Sequence, residues 1–436
     1  MLTSQNAGQN VRLLKLFWST VGIIAGCHFS ARADVKVTFA NLFSFSGTNG
    51  IEPEGKLLQM PDGCLYGTAT DTTLEKWGNA NFGFKGHGAI YKITTNGVFS
   101  TIAMLERNKT NAAYPRAGLT FCNDGNFYGT TTGGGTNHRG TIFKVTTNGV
   151  VTIIYSFSKT NGCSPCAGLL QNGNCSFVST TFEGGLEDAR FANVPNVTHG
   201  WGTVFGITTK GSLKTFVFFD KTNGAGPNSD LIQGDDGNLY GTTSSGGRST
   251  NNMLYAYDSG GFGTLFKISP ERKLTTLHDF SGVDGTGPLD AQQTPGGDLY
   301  GITINDGATN TANPDEAYSW RPFVGSGTIF EITKQGYFKT LVLFYGKNGA
   351  NPDSFILGRD GNFYGATIGG GAHNLGTIFK LTPNGKFTTL YSFTEGGGTW
   401  PNKISIMQGM DGNLYGTTTR CGKNQSGSIF CLTIGR

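Results

Sequence analysis

One phrase recurs seven times along this chain and limits its fold more than any other feature. It is a Tyr-Gly-Thr knot, a glycine-rich gap, then Gly-Thr-Ile-Phe-Lys, seen in full at Asn126–Thr131 and Gly140–Lys144. Self-similarity at a period of about sixty residues sets the architecture before any single residue does. The knots fall at Tyr66, Tyr128, Tyr240, Tyr300, Tyr364 and Tyr415; in the third copy Val178 stands where tyrosine is expected. The second half of the phrase begins at Gly88, Gly140, Gly202, Gly263, Gly327, Gly376 and Gly427. Pro53, Pro115, Pro165, Pro227, Pro288, Pro352 and Pro401 keep the same spacing, so half of the fourteen prolines hold one slot. Three independent landmarks therefore each count seven.

Each unit reads as four short strands. In the fourth unit they are Ser229–Gln233, Asn238–Thr243, Gly263–Ile268 and Lys273–Phe280. The runs are aromatic and β-branched, with turn residues between them, as strands require. Asp62-Gly63, Asp124-Gly125, Asp236-Gly237, Asp360-Gly361 and Asp411-Gly412 mark the first hairpin, where glycine accepts positive φ. No long stretch has helical period beyond the N-terminal segment. Seven units of four strands predict an all-β fold, a seven-bladed β-propeller. The units run near 51–105, 113–157, 165–219, 227–280, 288–345, 352–393 and 401–434. The last unit stops after its third strand, and an unattached strand within 36–45 precedes the first. The N-terminal strand is thus expected to complete blade seven, removing exposed sheet edges. An open solenoid is the competing architecture; it would call for capping units rather than complementary halves.

The first 33 residues read as an export signal: Arg12 and Lys15, an apolar run from Leu16 to Gly26, and Ala31-Arg32-Ala33 before Asp34. Ile24-Ala25-Gly26-Cys27 offers the alternative of a lipoprotein anchored at Cys27. Either places the remaining chain, 34–436, outside the cytoplasm: extracellular, periplasmic or on the outer surface, with no transmembrane segment once the signal is removed. Removing Arg12, Lys15 and Arg32 from the 33 basic residues leaves 30 against 29 acidic ones. That balance gives no electrostatic footprint for nucleic acid. Seven cysteines then remain, an odd number, which in an oxidising compartment permits disulfides and leaves a thiol over. Cys64, Cys122 and Cys175 lie at or near the first hairpin turns of blades one to three. Cys163-Ser164-Pro165-Cys166 is a C-x-x-C in a loop, away from any βαβ pattern, so a structural role suits it better than redox chemistry.

Specificity in a scaffold of this kind belongs to its loops. The connections between second and third strands are long in blades one, three, four and five, and they carry aromatics. Trp77, Trp201, Tyr257 and Trp320 are the ligand-binding candidates; equally, such loops bury their own rings over the blade tops. His87, His138 and His199 end three successive connections and form the one candidate metal set, though similar repeat slots need not converge. No cofactor is otherwise expected. The Asp-Gly pairs lack calcium-loop spacing, the glycine runs lack a phosphate-loop ending, and there is no G-x-S-x-G or H-E-x-x-H.

Asp124–Phe157 and Asp360–Phe393 carry the fullest form of the phrase, Asp-Gly-Asn-Phe-Tyr-Gly through Tyr-Ser-Phe. It resembles the GloVer tandem repeat of exported bacterial proteins, over nearly all of residues 35–434. The resemblance implies an exported repeat array and supplies no catalytic residues to carry over. Members commonly add a C-terminal anchor, which the chain ending at Arg436 does not show. The expectation is a secreted, non-catalytic propeller binding a glycan or protein through its long-loop face. The alternative is an extracellular polysaccharide lyase or hydrolase with a site on that face.

Overall fold

The computed structural model describes residues 36–72, 88–105, 112–173, 176–186, 200–248, 260–307, 326–394, 403–420 and 422–435. Among them are seven four-stranded antiparallel sheets, the blades of a seven-bladed β-propeller. Blade four is Ile232–Gln233, Leu239–Thr243, Thr264–Ile268 and Leu274–Asp279, ordered from the innermost strand outward. Blade seven takes three strands from the C-terminus, Ile404–Gln408, Leu414–Thr418 and Ser428–Ile434, and its fourth from the N-terminus, Val37–Ser44. Val37 faces Ile434 and Ser44 faces Ser428 across that pair. The expected closure is therefore present.

The innermost strands are shorter than the pattern predicts. In blades one to four only two residues pair within the blade: Leu58–Gln59, Thr120–Phe121, Leu170–Gln171 and Ile232–Gln233. Part of the upstream backbone bonds to a neighbouring blade instead. Thr68 donates its hydroxyl to the Ala117 carbonyl at 2.9 Å, and Thr130 donates to that of Ala167 at 3.0 Å. Ser405 of blade seven does the same to Gly55 of blade one, at 3.1 Å.

Packing explains the repeated letters. The glycine of each Tyr-Gly lies under the aromatic ring of the third strand; a Cβ on Gly129 would come within 2.5 Å of the Phe143 ring. The glycine that opens the third strand lies against the next blade's proline. A Cβ on Gly140 (φ 99°) would meet Pro165 at 2.6 Å, and one on Gly327 would meet Pro352 at 2.6 Å. Gly427 of blade seven meets Pro53 of blade one in the same way, which closes the series. The threonines pair across strands two and three, Thr131 with Thr141 at 2.7 Å and Thr243 with Thr264 at 2.9 Å, satisfying buried hydroxyls. The aspartate of each Asp-Gly turn holds the turn amide and the tyrosine two residues further on. Asp124 accepts from Asn126 N at 3.1 Å and from Tyr128 OH at 2.6 Å.

The core lies between blades. In several blades the aromatic that follows the outer strand packs edge-on against the next blade's third strand: Phe157 on Phe205 at 5.2 Å, Phe280 on Phe330 at 5.2 Å. Phe45, from the N-terminal strand, meets Tyr91 of blade one at 5.3 Å. Each buried phenylalanine contributes about 1.5–3 kcal/mol, so blade-to-blade contact is the main source of cohesion.

Candidate functional site

The landmark prolines precede the channel-side residues in sequence. Among the described residues, eight side chains within three residues of those prolines line the central channel: Glu54 and Lys56 of blade one, Arg116 of two, Cys166 of three, Asp230 of four, Asp290 of five, Asp353 of six and Lys403 of seven. The proline fixes φ at one repeat position. Residues one or two places beyond it form an outer layer, and those further on a deeper one. The irregular register of blade five, between Leu289 and Gln292, brings Asp290 to the deeper layer.

The deeper layer is an ion-pair bridge across the channel. Lys56 Nζ lies 3.1 Å from Asp290 Oδ1 and 3.5 Å from Asp230 Oδ2. Blade one thereby reaches blades four and five, on the far side of the ring. Each aspartate is also fixed by a neighbouring blade's amide: Gly168 N donates to Asp230 at 2.7 Å and Phe355 N to Asp290 at 3.1 Å. Burial opposes the Lys56 charge, but Asp290 and Asp230 more than offset it and hold its pKa above the ordinary value. Burial likewise disfavours Asp230 ionisation; Lys56 and the Gly168 amide outweigh it and lower its pKa.

The outer layer is built on Glu54. Its Oε2 lies 3.5 Å from Lys403 Nζ and its Oε1 3.9 Å from Arg116 Nε. Asp353 accepts from Ile404 N at 2.8 Å. Burial raises the Asp353 carboxyl to about 7, against the lowering pull of Lys403, with Asp290 and Glu54 adding repulsion. Burial lifts the Cys166 thiol to about 11, far from a reactive thiolate. Further out, Glu52 pairs with Arg420 at 3.6 Å.

This opening belongs to the face that carries the second-to-third-strand connections. Those connections touch the segments just before the prolines: Trp201 O accepts from Gly226 N at 2.9 Å, and Ala112–Ala113 pairs with Gly133–Gly134.

Trp201 is half-buried against the core cluster that includes Val178, Val204 and Phe219, with Lys221 Nζ 5.7 Å from its ring centre. Trp77, Tyr257, Trp320, His87 and His199 lie outside the described residues. His138 is exposed in a left-handed turn, φ 55°. Among the described residues no group of three or more His, Cys, Asp or Glu is placed to hold a metal, and no helix is long and apolar enough to cross a membrane. Cys122 is disulfide-bonded, with its partner outside the described residues; Cys64, Cys163, Cys166 and Cys431 are free thiols.

Of the channel residues, only Cys166 stands out in the sequence, and for another reason. The signal was there: aligning the seven prolines gives Glu54, Arg116, Cys166, Asn228, Leu289, Asp353 and Asn402 in the next position. That is an invariant residue followed by a variable one.

The family model described as the Gloeobacter/Verrucomicrobia repeat matches residues 25–190, 192–313 and 318–436. No curated protein matches the sequence. Among solved structures, the extracellular domain of a protein described as a hybrid two-component system from B. thetaiotaomicron is similar, with a TM-score of 0.52 and 10% identity. The match covers 90% of this chain, which spans 39% of that one's length. A protein described as a 6-phosphogluconolactonase from Bacteroides uniformis gives 0.50 at 16% identity, over 80% of this chain and 89% of its own. One of unknown function from Dyadobacter fermentans gives 0.50 at 11%, over 91% and 99%. At these identities the likeness is one of fold alone.

Proposed function

The chain belongs to the Gloeobacter/Verrucomicrobia repeat family, and we propose that it is an exported, non-catalytic propeller that binds a glycan on its long-loop face, at the channel opening. One observation carries the reading. Residues that differ from blade to blade just after the prolines, Glu54, Arg116, Cys166, Asp353 and Lys403, gather around a single opening on the face of the long connections. A constant scaffold presenting variable polar groups on the face of its long connections is the arrangement of a binding site. The disulfide at Cys122 supports an oxidising compartment.

A glycan array probed with the mature protein tests this. Alanine at Trp77, at Trp201 and at Trp320 is expected to weaken the best ligand at least about tenfold in one or more variants, the loss of one stacking contact. Three variants that stay folded and retain wild-type affinity would remove the loop face from the reading, and binding restricted to proteins would replace the glycan.

Asp353 favours a second reading, a polysaccharide lyase or hydrolase with its site at the same opening. A carboxyl titrating near 7 has the protonation behaviour of a general acid. Loss of depolymerisation in Asp353→Asn, with binding retained, would establish the enzyme; a wild-type protein that leaves a series of neutral and acidic polymers intact removes it.

A further inference from the structure

We infer that the outer layer of the channel is an anion site, built by Arg116 and Lys403 on either side of Glu54, and that it takes the carboxylate of an acidic saccharide. The inference rests on the glycan-binding reading and narrows its ligand. Three cations and four carboxylates line the channel, so the preference comes from placement and not from net charge. The carboxylates face inward and are occupied. Glu54 is 9% exposed and Asp290 10%, and Asp230, Asp290 and Asp353 each hold a backbone amide. Asp230 is 40% exposed, but it lies in the deeper layer and is bound to Lys56.

The outer cations are the reverse. Arg116 is 47% exposed and Lys403 41%. Each touches Glu54 through one nitrogen, at 3.9 and 3.5 Å, distances too long for strong hydrogen bonds. The other guanidinium N–H groups of Arg116 have no acceptor among the described residues. Two half-open cations sharing one buried carboxylate leave a positive charge and a planar donor fork facing the opening, the geometry that suits a carboxylate. They come from blades two and seven, with Glu54 between them on blade one.

Asp353 makes the site sensitive to pH. It is faced by Lys403, Glu54 and Asp290, with Lys56 and Asp230 behind Asp290 and Cys166 beside Lys403. Protonated Asp353 leaves the Lys403 charge to the ligand. Ionised Asp353 repels an incoming carboxylate, so binding tightens as pH falls through neutrality.

Titration calorimetry on the mature protein tests this with trigalacturonate, its methyl-esterified form and sodium sulfate, at pH 6 and pH 8. Trigalacturonate is expected to bind best at pH 6. It should lose at least about tenfold in Arg116→Gln and in Lys403→Gln, the cost of one charge-assisted contact. Weakening at pH 8 should be present in the wild type and absent in Asp353→Asn. Thermal melts check that each variant folds. Equal binding of the acid and its ester, or wild-type affinity in both glutamine variants, overturns the anion site. So does binding confined to neutral glycans, which leaves the broader reading intact. Sulfate competing as well as trigalacturonate overturns the saccharide assignment. A protein that binds no glycan of any charge fails both.

Discussion

Two regions a few residues apart in every blade obey opposite rules. The second and third strands repeat almost letter for letter, while the three positions after each proline hold a different set in each copy. The first region is constant because its residues meet other repeated residues: glycine under an aromatic ring, glycine against the next blade's proline, threonine with threonine, aspartate with tyrosine. Changing one requires changing its partner. The second region includes the channel residues, and Glu54, Arg116, Asp230, Asp290, Asp353 and Lys403 find their partners in other blades. The contrast teaches that repetition here records mutual packing, and variation records what the channel holds.

The sharpest way to break this comparison is to add a side chain to the constant region. Gly129→Val forces a methyl-bearing carbon into the Phe143 ring and Gly140→Val forces one into Pro165 at a positive φ. Each is expected to cost about 3 kcal/mol or more through overpacking or backbone strain, read as a fall in the urea midpoint. A comparable substitution in the channel should cost much less, and equal losses would erase the distinction.

Lys56→Met comes next, because this channel residue has partners in two other blades. Removing the cation leaves Asp230 and Asp290 facing each other, with an expected loss of about 2 kcal/mol, below the full cost of breaking a buried pair because solvent reaches the channel. Lys56→Met with Asp290→Asn should recover part of it. Tyr128→Phe deletes one bond to Asp124 and is expected to cost about 1 kcal/mol.

The smallest effect is one of pH. Asp353 titrates near 7 in the folded chain, above the ordinary value of an unfolded aspartate. The native state therefore holds the proton longer. The resulting stability is complete at low pH and is lost as pH rises through about 7. Melting temperatures should fall between pH 6 and pH 8, and Asp353→Asn should flatten that slope. An unchanged slope would place the titration elsewhere.

The propeller was legible because its signals are local. Proline spacing, Asp-Gly turns and a half-unit at each end need no knowledge of distant residues, and the N-terminal strand pairs as its pattern implies. The strands beside the channel were misjudged in length because their backbone bonds to other blades, as Ala117 does to Thr68. The channel charges were hidden for the same reason. Lys56 and Asp290 are 234 residues apart in sequence, and no periodic pattern joins them. Most of the loop aromatics chosen from the sequence lie outside the described residues; Trp201, which does not, packs in part against the blade core.

The pairing of Val37–Ser44 with Ser428–Ile434 also orders events in time. During synthesis Val37–Ser44 must wait for Ser428–Ile434 before it finds its neighbour. Until then the blades form an open arc, with Pro53 lacking Gly427 and Phe43 held only from one side. Closing the ring is a late step that joins strands far apart in sequence, so Val37–Ser44, made before the other blade strands, is among the last to become part of the fold.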